Sequence, residues 1–183
     1  GNTVGQTIPA RELLEKIAQA TWKCADPGIM FDDTINSWHT TQSLGKIESS
    51  NPCGEYLSNN NSACNLASLN LVKFLNDDNS FAFNDFYQVV DVMITAMDIT
   101  CSFSEMPTKK IEENTRNLRQ LGLGYSNLGA ALMIQGMPYD SDEARDWTAS
   151  VTSLMTGRAY RRSAELASSL GPFLHYKDNK DAM

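Results

Sequence analysis

The chain has 183 residues, of which 42% are hydrophobic and 20% are charged, and its formal net charge at pH 7 is −7. This composition is typical of a folded globular domain. The negative charge argues against binding of a nucleic acid polymer, whose affinity depends on clustered lysine and arginine. No apolar run is long enough to cross a bilayer and no basic, apolar leader is present, which predicts a soluble cytoplasmic protein without a membrane partner.

The first predicted element is a helix at residues 11–23. Apolar and small residues recur there at helical spacing, and Asp26-Pro27-Gly28 ends the pattern. Residues 29–46 lack a clear periodicity and are predicted to be irregular.

The most informative segment follows, because it places an amide, a thiol and a carboxylate at alternate positions. Residues 49–55 read Ser-Ser-Asn-Pro-Cys-Gly-Glu. In an extended backbone, alternate residues project from one face, so Asn51, Cys53 and Glu55 can point into one cavity. The intervening proline and glycine suit a constrained loop and not a central strand. On residue types alone, a surface turn with an incidental cysteine is the stronger interpretation, since short motifs match by chance.

Four elements are predicted after this segment. A strand is expected at residues 68–74, a helix at 83–103 and a shorter helix from Pro107 to residue 117. A long helix capped by Ser141 is expected to end at Gly171-Pro172. An arginine cluster in this helix is predicted to form a solvated face: Arg158, Arg161 and Arg162.

The four cysteines, in a chain without a signal sequence, predict reduced thiols. No Cys-x-x-Cys pair is present, and His39 and His175 are the only histidines that could bind a metal together with the cysteines. No metal is therefore predicted, and a structural zinc site is the weaker interpretation of the cysteines. Cys101 is predicted to be a small buried hydrophobe in a helix. A cysteine hydrolase that uses Cys53 with either histidine remains an alternative.

Three separated segments resemble the large chains of ribonucleotide reductases, in the same order. They are residues 26–40, the cysteine-bearing stretches 51–55 and 62–71, and residues 119–129. Agreement in three places is hard to obtain by chance. The sequences of these segments are most similar to the adenosylcobalamin-dependent class, and the short separation of Cys53 and Cys64 is part of this similarity.

The resemblance implies a mainly helical α+β fold with a few short strands, as a fragment of the ten-stranded α/β barrel of these reductases. Because the chain is short for a complete barrel enzyme of this kind, we interpret residues 1–183 as one internal segment. Its catalytic loop would span about 47–66 and its helical region about 82–171. By resemblance, residues 122–129 begin a packed helix whose glycines permit close approach; their spacing departs from a dinucleotide-binding loop.

The resemblance also implies reduction of ribonucleotides to 2′-deoxyribonucleotides. Cys53 would be the thiyl radical that removes hydrogen from C3′, and Glu55 the base that takes the 3′-hydroxyl proton. Asn51 would orient the hydroxyls, and Cys64 would be one of two thiols that supply electrons by closing to a disulfide. The implied substrate-binding residues are Ser50, Asn51, Pro52, Cys53, Gly54 and Glu55.

Adenosylcobalamin is the cofactor that the class resemblance implies, whereas another class would use a diiron partner chain. The implied partners are a ribonucleotide substrate, the rest of the reductase chain and a thioredoxin-like dithiol donor. The cysteine that pairs with Cys64 is expected before the catalytic loop and outside this chain, because Cys24 lies at a position that the family places after that partner. A truncated, non-catalytic helical module remains an alternative.

Overall fold

A computed structural model describes residues 7–183, and this part of the chain forms seven α-helices and two β-strands. The helices are α1 (Ala10–Cys24), α2 (Asp32–Ser37), α3 (Phe83–Phe103), α4 (Lys109–Leu118), α5 (Leu128–Ile134), α6 (Asp142–Leu170) and α7 (Tyr176–Asn179). The strands are β1 (Asn65–Asn70) and β2 (Leu121–Ser126). None of the described helices has the length and apolar character needed to span a membrane. The mainly helical content with two short strands confirms the predicted fold class.

Helix α1 confirms the helix predicted at residues 11–23. It ends where Ala25 adopts a left-handed conformation, from which its N–H donates to the Thr21 carbonyl at 2.8 Å. None of its side chains is buried, and Trp22 is 94% exposed. The apolar face of α1 is therefore uncovered by the rest of residues 7–183.

The prediction that residues 29–46 are irregular is wrong in part, because α2 and a 3-10 turn, Gln42–Leu44, lie there. The side chain of Asn36 in α2 binds the backbone of Ile47 twice: its Nδ2 donates to the carbonyl at 3.2 Å and its Oδ1 accepts from the N–H at 2.9 Å. An isolated helix of six residues has only marginal stability, so these tertiary hydrogen bonds are needed to stabilise α2. The periodicity of the local sequence could not predict them.

Strands β1 and β2 pair in parallel, with Asn65 opposite Leu121 and Asn70 opposite Ser126. Parallel strands need a long crossover connection, which α3 and α4 provide here. The strand predicted at 68–74 is displaced, because β1 ends at Asn70, whose side chain accepts from the Val72 N–H at 3.2 Å. The chain then turns into a 3-10 segment, Leu71–Phe74.

The expectation that residues 122–129 begin a packed helix is wrong, because the first half of this stretch is β2 and α5 begins only at Leu128. Local sequence did not reveal the strand, since its backbone partner is β1, far away in the chain. The expected close approach is confirmed at Gly122. A Cβ atom there would lie 2.5 Å from Leu66 Cδ2 and 2.8 Å from Cys64 Sγ. Strand β2 thus interrupts the helical region predicted at about 82–171.

Helix α3 confirms the helix predicted at 83–103 and forms the packing layer behind the strands. It contacts both strands on one side and α6 on another. Phe86 and Val90 are fully buried, and the Phe86 ring lies edge-on to Phe74 and Phe81, with ring centroids 5.1 and 5.2 Å apart. Such aromatic pairs each contribute about 0.5–1.5 kcal/mol beyond the area they bury. The strands are therefore supported by a rigid aromatic layer.

Helix α4 begins two residues later than predicted. Its cap is Thr108, whose hydroxyl accepts from the Ile111 N–H at 3.3 Å, so Pro107 lies outside the first turn. The predicted cap of α6 is confirmed, because Ser141 Oγ accepts from the Ala144 N–H at 3.1 Å.

The prediction that the arginine cluster of α6 is a solvated face is wrong for two of its members. Arg158 makes a two-pronged ion pair with Asp91 of α3, with Nε 2.7 Å from Oδ1. Arg162 Nε donates to Thr95 Oγ1, also on α3, at 3.0 Å. These contacts join α6 to α3; of the three arginines, Arg161 is the one paired only within its own helix.

Candidate active site

Three of the four predicted catalytic residues, Asn51, Cys53 and Glu55, lie on a hairpin at residues 50–57. Ser50 and Leu57 at its ends form an antiparallel bridge. Inside the bridge, the Asn51 N–H donates to the Tyr56 carbonyl at 3.4 Å. The hairpin is thus closed by its own backbone before it contacts the sheet.

The tip of the hairpin is a β-turn. The extended backbone expected from the alternate positions of Asn51, Cys53 and Glu55 is not present there. The Gly54 N–H donates to the Asn51 carbonyl at 3.1 Å, which places Pro52 and Cys53 at the two central positions. Proline favours the first central position because its ring fixes φ, and Gly54 adopts a φ of +81°, which glycine tolerates best. The turn presents the Cys53 thiol at its exposed apex.

The Asn51 amide has one end committed to the hairpin. Its Oδ1 accepts from the Tyr56 N–H at 3.0 Å, which fixes the orientation of the amide because only the oxygen can accept. Its Nδ2 makes no hydrogen bond within residues 7–183. Asn51 therefore stabilises the turn and keeps two donors available for a ligand.

Cys53 and Glu55 are both exposed, and neither side chain hydrogen-bonds to any other residue that the structure describes. Two cavities, of about 370 and 340 Å³, lie elsewhere on the chain, the larger one against the base of the hairpin at Leu57 and Ser58. Neither cavity is lined by Cys53 or Glu55. The two side chains are therefore open to an approaching ligand.

Cys64 lies immediately before β1 and is half-buried. Burial raises the pKa of its thiol above the ordinary value, and the nearby Cys101 and Glu55 add to the rise. The structure therefore brings three of the four predicted catalytic residues together in one hairpin, and the hydrogen bond from Tyr56 to Ser62 joins that hairpin to the segment just before Cys64.

Cys101 lies on the opposite side of the strand pair. Successive residues of a strand point to opposite faces, and Asn65 faces α3, where its Nδ2 donates to the Met97 carbonyl at 2.8 Å. Cys64 shares the other face with Leu66, since both approach Gly122. Cys101 on α3 is 2% exposed, as predicted, and all four cysteines are free. Cys64 and Cys101 thus lie on different faces of the strand pair and are not joined by a disulfide.

Sequence reasoning missed a group of polar residues that holds the hairpin. The Tyr56 hydroxyl donates to Ser62 Oγ at 2.8 Å and also bonds to the side-chain amide of Gln120, which in turn bonds to the Ser58 hydroxyl. Burial raises the pKa of Tyr56, and the hydrogen bond with Ser62 opposes that rise. No local signal connects Tyr56 with Gln120, because only the pairing of β1 with β2 brings them together.

His39 is occupied by structural hydrogen bonds. Its Nδ1 accepts from the Thr41 N–H at 3.4 Å, so its Nε2 carries the proton and donates to the Gly45 carbonyl at 3.1 Å. Neither His39 nor His175 bonds to Cys53, and residues 7–183 hold no cluster of three or more His, Cys, Asp or Glu side chains able to bind a metal ion. The structure thus gives no support to a cysteine hydrolase or a zinc site.

Two parallel strands joined through helices are the connection typical of α/β folds, a class that includes the α/β barrels. The sequence model of the family described as "Ribonucleotide reductase, barrel domain" matches residues 2–183. The chain belongs to this family, which confirms the resemblance seen in the sequence and leaves the non-catalytic module without support.

Individual relatives agree with the family. The chain is 55% identical over 178 residues to the vitamin B12-dependent ribonucleotide reductase of Streptomyces coelicolor, covering 95% of this chain and 18% of the relative. It is 34% identical over 166 residues to the vitamin B12-dependent ribonucleoside-diphosphate reductase of Thermoplasma acidophilum, covering 91% of this chain and 22% of the relative. The chain thus spans about a fifth of the length of these proteins.

A solved structure agrees at the level of the fold. The alpha subunit of the Actinobacillus ureae class Id ribonucleotide reductase superimposes with a TM-score of 0.75 at 22% identity. The match covers 92% of this chain and 34% of that subunit.

Proposed function

We propose that this chain is the catalytic segment of an adenosylcobalamin-dependent ribonucleotide reductase. The observation that carries the proposal is the arrangement before β1, where the exposed turn bearing Cys53 lies in the same hairpin as Asn51 and Glu55, and Tyr56 joins that hairpin to Ser62, two residues before Cys64. Relatives named as vitamin B12-dependent reductases, at identities up to 55%, support the class.

In the proposed reaction, a Cys53 thiyl removes the hydrogen atom from C3′ of the ribose and returns it at the end. Glu55 accepts the 3′-hydroxyl proton, which pushes electron density toward C2′ and helps the 2′-hydroxyl leave as water. The free Nδ2 donors of Asn51 would bind a ribose hydroxyl, while its Oδ1 keeps the turn closed. The turn residues Ser50, Pro52 and Gly54 complete the proposed substrate loop.

The reduction consumes two electrons and two protons, which two thiols supply as they close to a disulfide. The products are a 2′-deoxyribonucleotide, water and that disulfide. The raised pKa of Cys64 suits this role, because a thiol that keeps its proton at neutral pH can deliver hydrogen. As the resemblance to the family implies, the second thiol would come from outside these residues. A thioredoxin-like dithiol in the cytoplasm would then reduce the disulfide.

Adenosylcobalamin, when bound, would supply the one-electron chemistry that converts a thiol to a thiyl. The Cys53 thiol, exposed at the apex of its turn and engaged in no hydrogen bond with any described residue, fits the side chain that would face such a group. Asn51 and Gly54 would hold that thiol in place through the backbone bond that closes the turn.

The test is nucleotide reduction by the full reading frame that contains this segment, with ribonucleoside di- or triphosphates, a dithiol, and adenosylcobalamin present or absent. We expect cobalamin-dependent deoxynucleotide formation that Cys53→Ser abolishes. Cys24→Ser, at another exposed cysteine on α1, is the matched control and should leave the rate unchanged. Turnover that survives Cys53→Ser would refute the assignment of the thiyl. Turnover that needs a metal-bearing partner chain instead of cobalamin would refute the class.

A further inference from the structure

The hairpin at residues 50–57 is joined to the strands through one aromatic residue. Tyr56 is bonded on its backbone side to the turn, because its N–H and carbonyl both bind Asn51. On its side-chain side, its hydroxyl bonds to Ser62 and Gln120. Tyr56 therefore connects the turn to two points outside the hairpin.

Both of these points lead directly into the strands of the site. Ser62 lies two residues before Cys64, and its hydroxyl is itself held by donating to the Asn59 carbonyl at 2.6 Å. Gln120 lies immediately before β2, and its carbonyl accepts from the Asn65 N–H at 3.3 Å. The Tyr56 hydroxyl thus bridges the leading ends of β1 and β2.

The Gln120 anchor is fixed by its neighbour Arg119. Arg119 adopts a left-handed conformation with φ of +52°, which is unfavourable for a side chain of this kind. Its guanidinium is held by α3, where Nε lies 2.8 Å from Asp98 Oδ1 and a terminal nitrogen lies 3.0 Å from Ser102 Oγ. This ion pair secures the junction of α4 with β2, so the Tyr56 hydroxyl binds a rigid support.

We propose that Tyr56 is a positioning residue whose hydroxyl, bonded to Gln120 and Ser62, holds the hairpin that carries Cys53 and Glu55 at a fixed place against residues 62–64, which lead into β1. The catalytic part of this inference rests on the proposed reductase function, whereas its geometric part does not. Loss of the hydroxyl frees the turn from the strands but leaves the backbone bonds inside the hairpin intact.

The first test measures geometry without turnover, through alkylation of the cysteines of the full-length protein by iodoacetamide with mass spectrometric readout. Tyr56→Phe keeps the ring and removes only the hydroxyl. We expect Cys64 to be alkylated several-fold faster in this variant, with Cys24 and Cys101 unchanged. The rate at exposed Cys24 measures the reactivity of the reagent itself. The rate at buried Cys101 measures opening of the whole fold. Equal acceleration of Cys64 and Cys101 would mean general destabilisation and would overturn the proposal, as would no acceleration at all.

The second test measures turnover. Tyr56→Phe should lower kcat by about tenfold or more with little change in KM, because small displacements of reacting groups reduce the rate strongly. Gln120→Met removes the partner amide at similar size. The double variant should lose less than the product of the two single effects, since each substitution removes the same Tyr56–Gln120 contact. Multiplied effects in the double variant would refute the bridge. If the wild type fails to reduce nucleotides but Cys64 is still selectively exposed by Tyr56→Phe, the proposed function fails and the bridge stands.

Discussion

Replacing Gly122 with alanine tests how tightly β2 approaches Cys64. The added Cβ would lie 2.8 Å from Cys64 Sγ and 2.5 Å from Leu66 Cδ2, whereas ordinary contacts begin at 3.4 Å. The Leu66 side chain is 63% exposed and its end can rotate away. The sulfur is more confined, because Cys64 is half-buried at the start of β1, so it must move by about 0.6 Å to restore an ordinary contact.

Two magnitudes follow from this displacement. Overpacking typically destabilises a protein by about 1–3 kcal/mol, and we expect the lower end because Leu66 can yield. Displacement of a reacting group by about 1 Å can lower a rate by about 100-fold, so a shift of this size should lower nucleotide reduction by about ten- to a hundredfold. The loss of activity should therefore exceed what the loss of stability explains.

Gly124→Ala is the matched control, because it lies on the same strand and the nearest atom to its added Cβ is Ser68 Oγ at 4.0 Å. Both variants would be compared by urea unfolding and by dithiol-dependent reduction in the full-length protein. Gly124→Ala should preserve both properties. Equal activity of the two variants would show that the position of the Cys64 sulfur does not limit the reaction, and would refute the reasoning.

Three further substitutions have expected outcomes. Asn51→Asp keeps the oxygen that closes the hairpin but removes the Nδ2 donors. We therefore expect kcat/KM to fall about tenfold, which corresponds to one hydrogen bond of about 1–1.5 kcal/mol, and Tm to stay unchanged. A clear fall in Tm would contradict this division of roles between the oxygen and the donors. Glu55→Gln should speed alkylation of Cys64 at pH 8, since the Glu55 charge helps to raise the pKa of that thiol, and a slower reaction would contradict their proximity. The hydrogen bonds from Arg158 hold the pKa of Asp91 below its ordinary value, so Asp91→Asn should lower Tm at pH 7. The difference in Tm between the two proteins should shrink as the pH falls below about 4 and the wild-type carboxyl takes up its proton. A constant difference down to about pH 2 would contradict a stabilising role of this ion pair.

Local patterns predicted the long helices well, because the information that forms them is contained in each segment. The apolar periodicity of α3 predicted both its ends and its buried side, including Phe86 and Val90. The Ser141 cap predicted the start of α6 for a similar reason, since the serine side chain binds the backbone three residues later. Helices of this kind need no distant partner to be recognised.

The site was predicted less completely, because it depends on contacts between distant segments. The motif and its resemblance predicted roles for Asn51, Cys53, Glu55 and Cys64, but they did not predict that the first three occupy a closed hairpin. They also did not reveal Tyr56, whose partner Gln120 comes within reach only when β1 and β2 pair. The same pairing turns Gly122 from an apparent helix start into a strand residue beside a thiol.

The parallel pairing of β1 and β2 also has a kinetic consequence. Helices such as α3 form within about a microsecond, whereas parallel strands can pair only after the intervening crossover has closed, which is slow for contacts between distant residues. Cys64 and the glycine that faces it lie on opposite sides of that crossover. During refolding, the far-ultraviolet helical signal should therefore recover before the candidate active site is assembled, and a newly made chain would be helical for a time before it could hold its thiol in place.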